Sequence, residues 1–161
     1  MRNSKALLVA TGGVIAAMYV VLTVIANALG LASGAIQVRF SEALTILPVF
    51  TPAAIPGLTV GCVLANLITG CAPWDVVFGS LATLIGALGT WLLRKKPMLA
   101  WIPPVISNVA IVPIVLQKVY GVPDAWWYLA LTVGAGEAIS CGILGLLLYQ
   151  GVKKIPQLQI K

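Results

Sequence analysis

The chain has 161 residues, of which 60% are hydrophobic and only 9% are charged. A soluble domain carries about 25% charged residues, so a water-soluble fold is excluded and the lipid bilayer must be the solvent. The length suits one compact membrane domain over residues 1–161 and is too short for a second.

Crossing about 30 Å of hydrocarbon takes roughly 20 helical residues. In chain order, the apolar stretches predict transmembrane helices at 5–29, 38–50, 52–70, 74–94, 98–119 and 125–151. Turn signals separate them at 30–36, Thr51-Pro52, Cys71-Ala72-Pro73 and Gly121-Val122-Pro123. Thr51 is the predicted N-cap of the third helix. The predicted fold is an all-α integral membrane protein, a compact bundle of six transmembrane helices.

The basic residues are grouped in three places. Eight of the ten are Arg2, Lys5, Arg94, Lys95, Lys96, Lys153, Lys154 and Lys161. Six spans with a cytoplasmic N-terminus place all eight in the cytoplasm, in agreement with the positive-inside rule. We therefore predict cytoplasmic N- and C-termini, and we interpret the net charge of +6 as a topology signal. Nucleic-acid binding is not expected.

The sequence lacks the residues that several kinds of catalysis and metal binding require. The sequence contains no phosphate-binding GxxxxGK[ST] loop, so ATP hydrolysis by this chain is not expected. Histidine is absent, which removes Ser-His and Cys-His nucleophile pairs. The three cysteines, Cys62, Cys71 and Cys141, show no CxxC spacing. We predict no catalytic residue, metal site or cofactor.

Two polar residues are predicted deep within the membrane. Glu137 lies near the middle of the last span, where an acid costs about 2.5–3.5 kcal/mol and usually faces a cavity or a partner. Asn108 lies at a similar depth in the fifth span. Each is either a ligand contact or a hydrogen-bond partner of a neighbouring helix, and the sequence leaves both interpretations open.

Further polar and aromatic residues are predicted near the outer surface. Arg39 and Glu42 are three residues apart, so they either pair with each other or contact a ligand. Trp74 and Asp75 begin the fourth span, and Trp126 and Trp127 begin the sixth. These tryptophans form either an interfacial aromatic belt or a stacking surface for a planar ligand. Polar residues gathered in the outer half predict a pocket that opens to the outside.

Two helices carry stripes of small residues, which allow close helix approach in lipid. The stripe of the first helix is Ala6, Ala10, Gly13 and Ala17. The stripe of the sixth helix is Gly134, Ala138, Gly142 and Gly145. Internal packing is predicted for the second stripe, whereas the first fits either internal packing or a partner helix.

The stretch QVRFSEALTILPVFTPAAIPGLTVGC at 37–62 combines a charged RFSEAL face with prolines spaced by four. Together with LANLITG and WDVVFGSLATLIGA, it resembles the queuosine-precursor transporter (QueT-type) family. The resemblance is detailed over about 35–87 and extends to the whole chain by topology.

This resemblance implies a substrate-binding (S) component of an energy-coupling factor (ECF) importer in a prokaryotic cell membrane. Such proteins capture a vitamin-like solute outside and work with a transmembrane coupling subunit and two cytoplasmic ATPases. The small-residue stripe of the first helix would then contact the coupling subunit. The charged start of the second helix would close the pocket mouth, and the prolines would shape the hairpin to the third.

The implied ligand is a 7-deazaguanine such as queuine or its precursor base. A carboxylate can accept the adjacent N–H donors of a guanine-like edge as a bidentate pair. Glu137 is expected in that role, with Asn108 as a second polar contact and a tryptophan stacked on the ring. The alternatives are an S component for another vitamin, or a stand-alone secondary transporter driven by protons through Glu137.

Overall fold

A computed structural model describes residues 4–31 and 36–155, and all the regular secondary structure in this part of the chain is helical, as predicted. The α-helices are α1 (Ser4–Ala28), α2 (Ala54–Ile68), α3 (Pro73–Leu92), α4 (Ile102–Lys118), α5 (Trp126–Glu137) and α6 (Gly145–Val152). A 3₁₀ helix over Phe40–Val49, here called the central 3₁₀ helix, precedes α2, and a short 3₁₀ turn over Pro97–Leu99 precedes α4. A π-helical segment over Ala138–Leu144 joins α5 to α6.

Six helical segments match the six predicted ones, but they differ in length. Four are long and apolar enough to cross a membrane: Lys5–Ala28, Pro73–Leu92, Pro97–Lys118 and Trp126–Val152. The other two, the central 3₁₀ helix and α2, have only 10 and 15 residues. By length alone, those two fall short of the roughly 20 residues that a full crossing needs.

The central 3₁₀ helix replaces the α-helix predicted at 38–50. Runs of 3₁₀ structure beyond three or four residues are uncommon, and this one contains Pro48, whose ring nitrogen cannot donate to the helix. The chain then reverses, and α2 begins at Ala54, two residues after the predicted start. The N-cap is Ala53, with no side-chain cap hydrogen bond, so the prediction of Thr51 as N-cap was wrong. Thr51 lies in the turn before the helix, where its Oγ1 accepts the N–H of Ala53 at 3.3 Å.

The central 3₁₀ helix lies inside the bundle, with α1, α2, α3, the π segment and α6 packed around it. Its Leu44 joins Ile15 and Tyr19 of α1 and Leu58 of α2 in the apolar core. The remaining helices pack as sequence neighbours, α1 on α2, α2 on α3, α3 on α4 and α4 on α5. This arrangement holds the charged RFSEAL stretch within the protein rather than at its rim.

Small residues bring the helices close together. A Cβ added at Gly61 of α2 would lie 2.8 Å from the Cβ of Tyr19 in α1, so glycine is required there. Glycines of the predicted last-span stripe face three different neighbours, with Gly134 against Val109, Gly142 against Trp101 and Gly145 against the backbone of Ala43. Internal packing of that stripe is therefore confirmed.

The basic residues and the helix ends divide the bundle into two ends. Lys5, the loop 94–96, Lys153 and Lys154 lie at what we call the basic end, where α1 begins and α3 ends. The opposite end, where α1, α2 and α4 end, contains the cavity described below and is called the cavity end. Arg2, Lys161 and residues 32–35 of the predicted turn lie outside the described residues, and the orientation in the membrane remains a prediction.

Candidate functional site

A cavity of about 460 Å³ opens at the cavity end. Its volume falls in the range of small-molecule sites. The polar residues in its wall come from five separate segments: Thr23, Asn27, Gln37, Arg39, Asn66, Thr69, Asp75 and Tyr120. Val112, Val115 and Leu116 of α4 supply an apolar side. An amphipathic ligand thus finds both apolar surface and hydrogen-bonding groups here.

A hydrogen-bonded bridge borders the cavity. The hydroxyl of Tyr120 donates to Asp75 Oδ2 at 2.8 Å and accepts the backbone N–H of Ala72 at 3.1 Å. Partial burial is the largest cause that raises the pKa of Tyr120 to about 12, and its hydrogen bond to Asp75 acts in the same direction. The phenol therefore keeps its proton at neutral pH and links the segment after α4 to the start of α3.

Two acids lie deeper, in a buried cluster formed by Tyr19, Glu42, Glu137 and Cys141. The hydroxyl of Tyr19 donates to Glu42 Oε1, and the thiol of Cys141 donates to Glu137 Oε2 at 3.2 Å. Glu42 is 2% and Glu137 is 9% exposed. Because α1, the central 3₁₀ helix and the last span each contribute, the cluster joins three separate parts of the chain.

Arg39 lies between the cavity and this cluster. Its side chain lines the cavity and interacts electrostatically with Glu42 and Glu137. Its backbone N–H donates to Ser140 Oγ at 3.2 Å, which fixes the entry to the central 3₁₀ helix. The predicted local partner of Arg39, Glu42, is hydrogen-bonded to Tyr19 instead. The single cation thus faces two buried acids rather than one.

The π segment begins directly after Glu137. Insertions of π-helix are frequent at functional sites, since they change the direction of the side chains that follow. Gly136 has no space for a side chain, because a Cβ there would collide with the backbone of Gln37. The glycine allows the last span to approach the segment before the central 3₁₀ helix, and this places Glu137 beside Glu42.

Among the described residues, three buried polar atoms have no hydrogen-bond partner: Glu42 Oε2, Ser80 Oγ and Asn108 Nδ2. The side-chain amide of Asn108 faces the Glu137 carboxylate, but its Nδ2 lies too far away for a hydrogen bond within 3.5 Å. Leaving such a group unpaired costs about 1–3 kcal/mol. An unpaired acceptor and an unpaired donor in one region are what a site for a polar ligand requires.

Glu42, Glu137 and Cys141 also present ligand atoms within 4.8 Å of one another. The nearby positive charge of Arg39 opposes a metal ion, and the two hard oxygens and one soft sulfur favour no particular metal. The geometry therefore gives little support to a metal centre.

The structure distributes the predicted binding residues over three places. Arg39 and Asp75 line the cavity, and Glu42, Glu137 and Asn108 are buried. The three tryptophans are exposed, Trp74 at 62%, Trp126 at 47% and Trp127 at 63%, and they do not line the cavity. Their outward position in this conformation matches an aromatic belt.

Sequence reasoning missed several residues of the site. Tyr120, Asn27 and Gln37 line the cavity, and Tyr19 holds Glu42 in the cluster. Tyr120 precedes Gly121, whose φ of +64° marks a turn, so a tyrosine beside a turn was a usable signal. Tyr19 gave no signal, because a single tyrosine in an apolar helix is ordinary core.

Comparison with known proteins gives one family. The model of the family described as QueT transporter matches residues 9–154. A curated relative, "Queuosine precursor transporter QueT" of Lactococcus lactis subsp. cremoris (strain MG1363), is 35% identical over 86 residues. The aligned region is 53% of this chain and 50% of that relative's length. No solved structure matches the chain significantly.

Proposed function

Since this chain belongs to the QueT transporter family, we propose that it is the substrate-binding component of an ECF importer and captures a queuosine precursor. The ligand is a 7-deazaguanine such as queuine or its precursor base. Energy comes from partner subunits, a transmembrane coupling protein and two cytoplasmic ATPases. The curated relative's name supports the ligand class.

The observation that carries this proposal is the cavity at one end of the bundle. It offers about 460 Å³ with polar walls at the ends of α1, α2 and α4. Below it, Glu42, Glu137 and the other buried polar side chains are enclosed by packed helices. A space open at one end and closed beneath supports capture of a solute, whereas a channel needs a continuous polar path.

The buried groups beneath the cavity suit a guanine-like edge. Its adjacent N–H donors need acceptors, and Glu42 Oε2 is an unpaired acceptor beside Glu137. The unpaired amide of Asn108 can donate to the ring carbonyl. In this proposal Glu137 remains the principal acceptor, and Arg39 moves aside or bonds the ligand, so that the edge of a base held in the cavity reaches the buried acids. Trp74, Trp126 or Trp127 would stack on the ring only after an inward movement.

The exposed surface of the first helix supports the proposal of a partner subunit. Ala6, Ala10, Gly13 and Ala17 are all exposed, and a Cβ at Gly13 would have no atom within 4 Å. The contact of α1 with α2 uses a different face, where the neighbouring Gly12 lies against the Gly57 backbone. The exposed stripe is therefore free for a helix of the coupling subunit to approach closely.

Two other functions remain as alternatives. An S component for a different vitamin would use the same cavity with another ligand. A proton-driven transporter working through Glu137 would use the buried acid pair that Glu137 forms with Glu42.

Ligand identity tests the proposal directly. Mass spectrometry of small molecules retained on the purified protein should detect a 7-deazaguanine, and calorimetry with added queuine should show one binding site per chain. A different vitamin on the protein, with no heat from queuine, would favour the first alternative. The proton-driven alternative predicts uptake into liposomes by the chain alone.

A further inference from the structure

A second chamber of about 250 Å³ adjoins the cavity, between the end of α4 and the start of α5. Gln37, Leu116 and Val122 line both spaces, so the two share one wall. A ligand whose ring occupies the cavity would reach the side chamber through a substituent that passes these three residues. The arrangement suits a two-part molecule rather than a bare ring.

The side chamber presents acceptors. Asp124 contributes a carboxylate, and Thr132 Oγ1 donates to the carbonyl of Leu129 at 3.0 Å, which leaves its lone pairs for a ligand. Gln117 Nε2 donates to the carbonyl of Asp124 at 2.8 Å and so holds that segment in place. None of the described residues in its lining is basic. A group with several N–H donors and a positive charge fits these partners.

The distribution of charge over the molecule also favours a positively charged ligand group. The chain has four acids and ten basic residues, and all four acids lie at or beneath the two spaces. Asp75 lines the cavity, Asp124 lines the side chamber, and Glu42 and Glu137 are buried below. Of the basic residues, Arg39 alone lines either space in the described structure. The two acids that line these spaces, Asp75 and Asp124, outnumber the single basic residue there, and this excess of negative charge attracts cations.

We infer that the side chamber is a subsite for a protonated amine carried on a substituent of the base, with Asp124 and Thr132 as its partners. This inference rests on the proposed capture of a deazaguanine in the cavity. It adds that the charge of the substituent, and not only the ring, determines which deazaguanine is taken up.

Two probes with the same ring separate these contributions. Calorimetry of the full-length chain in nanodiscs is done with 7-aminomethyl-7-deazaguanine, which is cationic, and 7-cyano-7-deazaguanine, which is neutral. The wild type should bind the cationic probe about tenfold or more tightly than the neutral one, because a charged hydrogen bond is stronger than a neutral contact. Asp124→Asn should reduce that preference by about tenfold and should change the affinity for the cyano probe less than twofold. Asp124→Glu, which keeps the charge, should retain a preference for the amine.

Each other outcome is decisive. Equal affinity of the wild type for both probes would overturn the amine subsite and leave base capture intact, whereas binding of neither probe would contradict base capture and the subsite together. Equal losses for both probes in Asp124→Asn would show that Asp124 only supports the fold. Disappearance of the preference at about 0.5 M salt would also overturn the subsite, since salt screens diffuse attraction more than direct contact.

Discussion

The two ends of the bundle contain opposite chemistry. The cavity end has all four acids, a polar cavity and buried hydrogen bonds that join distant parts of the chain. The basic end has exposed lysines and, on the adjoining half of α1, exposed small residues with open space beside them. In the proposed function, the cavity end recognises a small molecule and the basic end contacts other proteins. A substitution at either end should therefore affect one task and leave the other intact.

The largest effect is expected from Gly13→Leu on the exposed face of α1. No atom lies within 4 Å of a Cβ there, so the isolated protein should keep its thermal stability and ligand affinity. Close approach of a partner helix would be blocked, and uptake in cells should be abolished. Ala10→Leu should behave the same way.

Gly61→Leu is the matched control on the internal α1–α2 contact, where a Cβ would meet Tyr19 at 2.8 Å. It should destabilise the fold by about 1–3 kcal/mol or more through overpacking. Normal uptake by the Gly13 variant would show that this stripe is not a docking surface. A loss of binding in that variant would show that the two ends are not separate.

At the cavity end, Glu137→Gln should reduce affinity for a 7-deazaguanine by about 2–5 kcal/mol, because an acceptor facing two donors becomes a donor. This corresponds to roughly thirtyfold to several thousandfold in Kd. Calorimetry with an adenine-type ligand is the control. An adenine-like edge presents a donor beside an acceptor, so the variant should lose less affinity for it. Unchanged deazaguanine affinity would remove Glu137 from the site, and a stability loss without a change in base preference would make its role structural.

Arg39→Gln should lower stability by about 3 kcal/mol even without ligand. Removing one partner from a buried group of opposite charges typically lowers the stability by about 3–5 kcal/mol. The lower value applies because Arg39 borders the cavity. Thermal unfolding of the apo protein measures this. Lys118→Gln at the same end is the control and should have little effect, since Lys118 is exposed. Unchanged stability of Arg39→Gln would mean that Arg39 does not compensate Glu42 and Glu137.

The smallest effect is expected from Tyr120→Phe, which removes the bridge to Asp75. A net hydrogen bond contributes about 1 kcal/mol, so ligand dissociation should become about fivefold faster in stopped-flow measurements. Because the pKa of Tyr120 is raised to about 12, its contribution is complete below about pH 10, the ordinary tyrosine value. It is lost only as the pH rises through about 12. A dissociation rate equal to wild type would show that the bridge does not retain the ligand.

The sequence predicted the helical fold well because hydrophobic stretches and proline or glycine breaks are local signals. It predicted Arg39 and Asp75 near a pocket because polar residues gather in the outer half of the predicted spans. The central 3₁₀ helix and the π segment were not predictable, since both depend on how neighbouring helices pack. For the same reason Glu42, expected near the outer surface, is buried against Tyr19, 23 positions earlier. Side-chain partners across such separations leave no local pattern.

Reconstitution of the chain alone into liposomes tests the division of labour most directly. With a labelled 7-deazaguanine outside, the protein should bind about one ligand per chain and accumulate none inside, with or without a proton gradient. Addition of a coupling subunit and its ATPases should start ATP-dependent accumulation. Concentrative uptake by the chain alone, driven by a proton gradient and lost in Glu137→Gln, would contradict the proposal and establish a proton-coupled transporter.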